Sequence, residues 1–80
     1  MLQYSNIRNK YYEDNDVFIC WNMQQNSFYY MECEKNNCMH ELVDIIVCLD
    51  KKTNKERMAF VWEKSDTTKK LKAKWDNRPH

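Results

Sequence analysis

Glu41–Lys64, ELVDIIVCLDKKTNKERMAFVWEK, is two runs rich in β-branched and aromatic residues on either side of the polar stretch Lys51–Lys55, which is how a β-hairpin reads. Side chains on a strand alternate between faces. In the first run Val43, Ile45, Val47 and Leu49 therefore share one apolar face, opposed by Leu42, Asp44, Ile46, Cys48 and Asp50. In the second, Met58, Phe60 and Trp62 share a face, opposed by Arg57, Ala59, Val61 and Glu63. The hairpin is the expected folding nucleus, with Phe60 in the core and Val61 on a second face that the tail or a partner covers.

Moving towards the N-terminus, Asp16–Asn22 alternates in the same way, Val17, Ile19 and Trp21 against Phe18 and Cys20. Met23–Asn26 reads as a turn, Ser27–Glu34 as another strand, and Lys35–His40 as the link to the hairpin. The expectation is a mostly β, α+β domain: a small antiparallel four-stranded meander over residues 16–64, within one domain spanning 1–80. Residues 1–15 read as an arm, an edge strand or a short helix, since Tyr4, Ile7 and Tyr11 fall at helical spacing. On the C-terminal side, Leu71 and Trp75 are four apart, which predicts a basic amphipathic helix over 66–77, capped by Asp66 and packed on one sheet face. Residues 78–80 read as a loose end.

The chain has 80 residues and no glycine. Positive-φ turns must then fall to Asn or Asp, and Asn26, Asn36, Asn37 and Asn54 stand where turns are expected. Phosphate-binding glycine loops are excluded. The opening residues show no apolar leader, and the longest apolar runs, Val17–Trp21 and Ile45–Leu49, are too short to span a bilayer. The expectation is a cytoplasmic protein with reduced cysteines and no membrane partner.

Four kinds of chemistry can be weighed. Cys33, Cys38 and His40 form C-x4-C-x-H, a candidate zinc half-site, but the second close ligand pair that zinc needs is missing. Neither metal nor other cofactor is therefore expected. Cys38, His40 and Glu41 lack the convergence of a nucleophile, base and orienting group, so no enzyme activity is expected. Charge is uneven: residues 1–66 carry eight basic and eleven acidic side chains, whereas residues 67–80 carry Lys69, Lys70, Lys72, Lys74 and Arg78 against Asp76 alone. That tail, with Trp75 as a stacking ring, is a candidate nucleic-acid contact. Finally, Phe18, Trp21, Phe28, Tyr30 and Val61 exceed what one small core needs and are candidate protein-contact residues.

In general character, though not in any motif, this glycine-free chain rich in Asn, Lys and Tyr resembles the small accessory proteins of bacteriophages. The resemblance implies a non-enzymatic inhibitor that binds a host or defence enzyme and blocks it by occlusion. The alternative is a nucleic-acid-binding module using the basic tail, with a structural zinc at Cys33, Cys38 and His40. A sheet edge also allows a homodimer.

Overall fold

The computed structural model describes residues 1–78. The hairpin forms where the alternation places it: β4 (Leu42–Asp50) pairs antiparallel with β5 (Lys55–Glu63). Asn54 closes the turn in the left-handed region at φ 56°, a conformation Asn tolerates best after glycine. Strand β3 (Val17–Cys20) pairs with the other side of β5, giving the order β3-β5-β4.

One residue alters the predicted faces. Leu42 pairs with Trp62 but Asp44 pairs with Val61, so Val43 is the extra residue of a bulge. The bulge moves Leu42 onto the face of Ile45, Phe60 and Trp62, and Val43 onto the face of Ile46 and Val61. Both faces are buried at the hairpin's root. At its far end Val47, Leu49 and Met58 are exposed, so the apolar alternation runs on into solvent.

Two elements differ from the sequence reading. Residues 23–36 are not a turn and a strand but a helix, α1 (Met23–Asn36). Its buried positions are Asn26, Tyr29, Glu32 and Cys33, a stripe of helical spacing that the aromatic run Phe28–Tyr30 masks. Asn22 caps it, accepting from the backbone N–H of Gln24 and Gln25, and Asn37 ends it at φ 58°. The four-stranded meander is accordingly replaced by a three-stranded sheet. The first residues form neither an arm nor a helix: β1 (Leu2–Tyr4) and β2 (Tyr11–Glu13) make a separate two-stranded antiparallel sheet, with Asn9 at φ 55° in the link.

The result is an α+β domain with two antiparallel sheets and two helices. Helix α2 (Asp66–Asp76) covers the expected span to within one residue, but Ser65, not Asp66, is its cap, in a reciprocal capping box with Thr68. It joins α1 on one face of the main sheet, where Leu71 packs with Trp62, Tyr29, Cys33 and Leu42. Tyr29 meets Trp62 edge-on at 5.5 Å, and Trp62 Nε1–H donates to Asn26 Oδ1 at 2.9 Å. The opposite face, with Val17, Val43 and Val61, is covered by Tyr12 of the N-terminal hairpin rather than by the tail. Of the loose end, residues 79 and 80 lie outside the described residues. Arg78 is not loose: its guanidinium lies over Trp75 at 3.5 Å and donates to the Trp75 carbonyl at 2.6 Å.

Candidate functional site

Strand β3 is an edge of the three-stranded sheet. Lys64 N–H donates to the Asp16 carbonyl at 2.8 Å, which identifies Asp16–Lys64 as a hydrogen-bonded line of the ladder. Such lines alternate along an antiparallel pair. Phe18 and Cys20 therefore direct their backbone groups to β5, and Val17 and Ile19 direct theirs outward. Ile19 is 51% exposed, and among the described residues its outward N–H and C=O meet no loop or side chain.

Against this edge lies a cleft of about 490 Å³. Its wall is Phe18–Asn22, its far side Gln25 of α1, and its rim Lys64 with Thr68, Lys69 and Lys72 of α2. Each piece is held by a local device. Asn26 Nδ2 donates to the Cys20 carbonyl at 2.9 Å, tying the end of β3 to α1. Gln25 donates to the Tyr29 hydroxyl at 2.6 Å, anchoring the far side in the core. Thr68 Oγ1 donates to the Glu63 carbonyl at 2.6 Å, and Ser65 Oγ to Glu41 Oε2 at 2.9 Å, fixing the start of α2. The Lys64 ammonium donates to the Asn15 carbonyl at 3.2 Å.

The cleft is positive. Three lysines line it and no carboxylate does. Burial pushes the Cys20 thiol above its ordinary range, partly offset by the Asn22 backbone, so at neutral pH it is a thiol and a poor nucleophile. Charged groups and apolar surface are what the cleft presents.

The sequence-predicted contact residues are dispersed. Phe18 and Trp21 line the cleft, and Arg57 stands over the Trp21 ring at 5.1 Å. Phe28 is half-buried between Tyr29 and Trp75, and Tyr30 is exposed elsewhere on α1. Val61 is 1% exposed and belongs to the interior, so it offers a partner no surface.

The basic tail is divided. Lys69 and Lys72, three apart, face the cleft, whereas Lys70 and Lys74, four apart, face the opposite flank. There Lys74 pairs with Glu32 at 2.9 Å and holds that carboxyl below its usual range. Trp75 has Phe28 at 5.5 Å and Arg78 at 3.5 Å, so its ring is already engaged.

Cys33 and Cys38 meet across the C-terminus of α1, where Cys38 N–H donates to the Cys33 carbonyl at 2.9 Å. The side chains make the apolar contact that accompanies such a helix end, and burial pushes the Cys33 thiol up to about 12. His40 is exposed and turns to Glu41 at 3.3 Å. Among the described residues no three His, Cys, Asp or Glu side chains are placed to hold a metal. No helix among them is long and apolar enough to cross a membrane.

Ile19, Cys20, Gln25, Lys64 and Thr68 were not singled out from sequence. The readable signal was Lys64, a cation directly following an apolar strand. Comparison of the chain with protein-family models, with curated proteins and with solved structures finds no match.

Proposed function

We propose that this chain is a non-enzymatic protein-binding protein acting by occlusion, and that its target docks at the β3 cleft. The observation that carries the reading is an unpaired strand edge lying in the wall of an apolar cleft. A bare edge is a template for another chain, and Ile19 and Trp21, at 51% and 40% exposure, supply apolar contact beside it. In its most specific form the reading makes the protein an inhibitor of the phage accessory type, covering a host or defence enzyme.

The nucleic-acid reading has less support. The ring proposed to stack on a base is engaged on Phe28 and Arg78, and the lysines point to two flanks. Paired affinity capture with the wild-type chain and Ile19→Asp, each with and without nuclease, tests the proposal. We expect a protein retained by wild type, lost with Ile19→Asp and indifferent to nuclease. Capture that ignores Ile19→Asp, or that nuclease abolishes, overturns it.

A further inference from the structure

Resting on the protein-binding reading, we propose that the segment taken by the cleft is an extended, acidic strand of the target, added to the sheet beside β3. Three observations converge on that chemistry.

The first is backbone polarity. The outward N–H and C=O of Ile19 are satisfied by an incoming strand in the ladder geometry that β5 already uses on the other side of β3. The second is charge. Lys64 and the pair Lys69 and Lys72 come from different parts of the chain yet rim one cleft that no carboxylate lines. Carboxylates on the incoming strand complement that rim, while the β3 edge of a second copy brings its own lysines and is repelled. The same rim thus admits an acidic strand and disfavours self-pairing through this edge.

The third is alternation. Side chains of an added strand point by turns to the two faces of the sheet. Those on the helix side enter the cleft beside Phe18, Thr68, Lys69 and Lys72, and those on the other side lie next to Ile19. The matching pattern is acidic or aromatic residues alternating with β-branched ones. A nucleic-acid strand meets the lysines but cannot complete the ladder with Ile19, and the Trp21 ring is approached on one face by Arg57.

The probe is a synthetic peptide, Ser-Glu-Val-Phe-Val-Glu-Ser, blocked at both ends and titrated into the whole chain by NMR. We expect saturable shifts centred on Phe18–Trp21 and on Lys69 and Lys72. The peptide's valines share the Ile19 face and so turn their N–H towards β3 in an antiparallel pairing. Methylating the valine backbone nitrogens weakens binding by about tenfold or more, as losing ladder hydrogen bonds requires, whereas methylating the phenylalanine nitrogen, which faces away from β3, does not. Replacing both glutamates by lysine weakens it more than tenfold, and Lys69→Glu with Lys72→Glu reverses that preference. Circular dichroism confirms that this variant is folded; if it is not, the lysine peptide on the wild-type chain carries the charge test.

Binding indifferent to peptide charge and to backbone methylation overturns the proposal, as does a single-stranded oligonucleotide that displaces the peptide with tighter affinity. Failure of the peptide while Ile19→Asp still abolishes protein capture removes the acidic strand and leaves the protein-binding reading standing. Loss of both removes that reading as well.

Discussion

The two edges of the main sheet are treated differently. Along the first residues of β4 the N-terminal segment seals the edge: Ser5 Oγ donates to the Val43 carbonyl at 2.7 Å, Arg8 Nε to the Leu42 carbonyl at 3.0 Å, and Asn6 N–H to Asp44 Oδ1 at 2.9 Å. Ser5 and Asp44 are almost fully buried there, and the Val43 bulge breaks the ladder as well. At β3 nothing comparable is present among the described residues, although Ile19 and Trp21 make that edge apolar. Bare apolar edges invite aggregation, and proteins ordinarily blunt them. The seal reaches only the root of β4, whose Val47 and Leu49 stay exposed further along. What sets the β3 edge apart is the cleft beside it, on which the proposed docking rests.

The largest expected effect comes from breaking the seal. Asp44 accepts from Asn6 N–H, from Ile45 N–H at 2.8 Å and from the Tyr12 hydroxyl at 3.0 Å. Asp44→Ala leaves those donors without a partner and should cost about 3–5 kcal/mol, a large share of what a small domain has. Denaturant titration measures it, and a loss below about 1 kcal/mol would show that the edge is closed by apolar cover alone. Next comes the attachment of the open edge. Asn26, 1% exposed, bridges the Cys20 carbonyl and the Trp62 indole N–H. Asn26→Ala should cost about 2–3 kcal/mol and loosen β3 from α1 without unsealing β4. Exchange of the Ser5 amide, which donates to the Lys10 carbonyl at 2.8 Å, should relax no more than global stability does.

How much of this was readable follows from which forces act locally. The β4–β5 pairing, the left-handed Asn37 and Asn54, and the Leu71–Trp75 stripe of α2 each arise from a few neighbouring residues, so pattern and spacing were enough. Helix α1 was missed because Phe28, Tyr29 and Tyr30 favour strands, while the deciding facts are tertiary: Tyr29 buried on Trp62, and Asn26 consumed by Cys20 and Trp62. Asn26 looked like a turn residue for that reason. Val61 looked available because the cover over its face, Tyr12, lies about fifty residues away in the chain. The cleft was half legible. Phe18, Trp21, Lys69 and Lys72 were candidates, but they were assigned to rival functions, and only the packing of α2 beside β3 brings them together.

A smaller effect distinguishes the sealed side by pH. Tyr12 is pushed up to about 12 by burial first and then by its hydrogen bond to Asp44. The folded state therefore favours the protonated phenol relative to the unfolded chain, whose value stays near 10. Its contribution is fully present below pH 10 and is lost as pH rises towards 12. With the ring partly exposed, the loss should be on the order of 1–2 kcal/mol. The stability curves of wild type and Tyr12→Phe should therefore converge as pH rises from 10 towards 12, because only the wild type has this contribution to lose. Parallel curves throughout would mean that neither burial nor Asp44 raises the phenol.

The smallest expected effect is on the open edge, and there its smallness is the point. Ile19→Lys replaces a side chain that is 51% exposed and outside both buried clusters, so stability should change by less than about 0.5 kcal/mol. The backbone provides the finer measurement. If Asp16–Lys64 is a bonded line, the amides of Phe18 and Cys20 lie in the ladder and should exchange slowly, while the Ile19 amide between them should exchange close to the rate of an open chain. Three consecutive residues in one strand would then read slow, fast, slow. A protected Ile19 amide, or an Ile19→Lys variant that melts well below wild type, would mean that the β3 edge is covered in solution, and the contrast between the two edges would collapse. If the alternation appears and saturating acidic peptide slows the Ile19 amide alone among these three, the edge is both bare and the place where a strand is added.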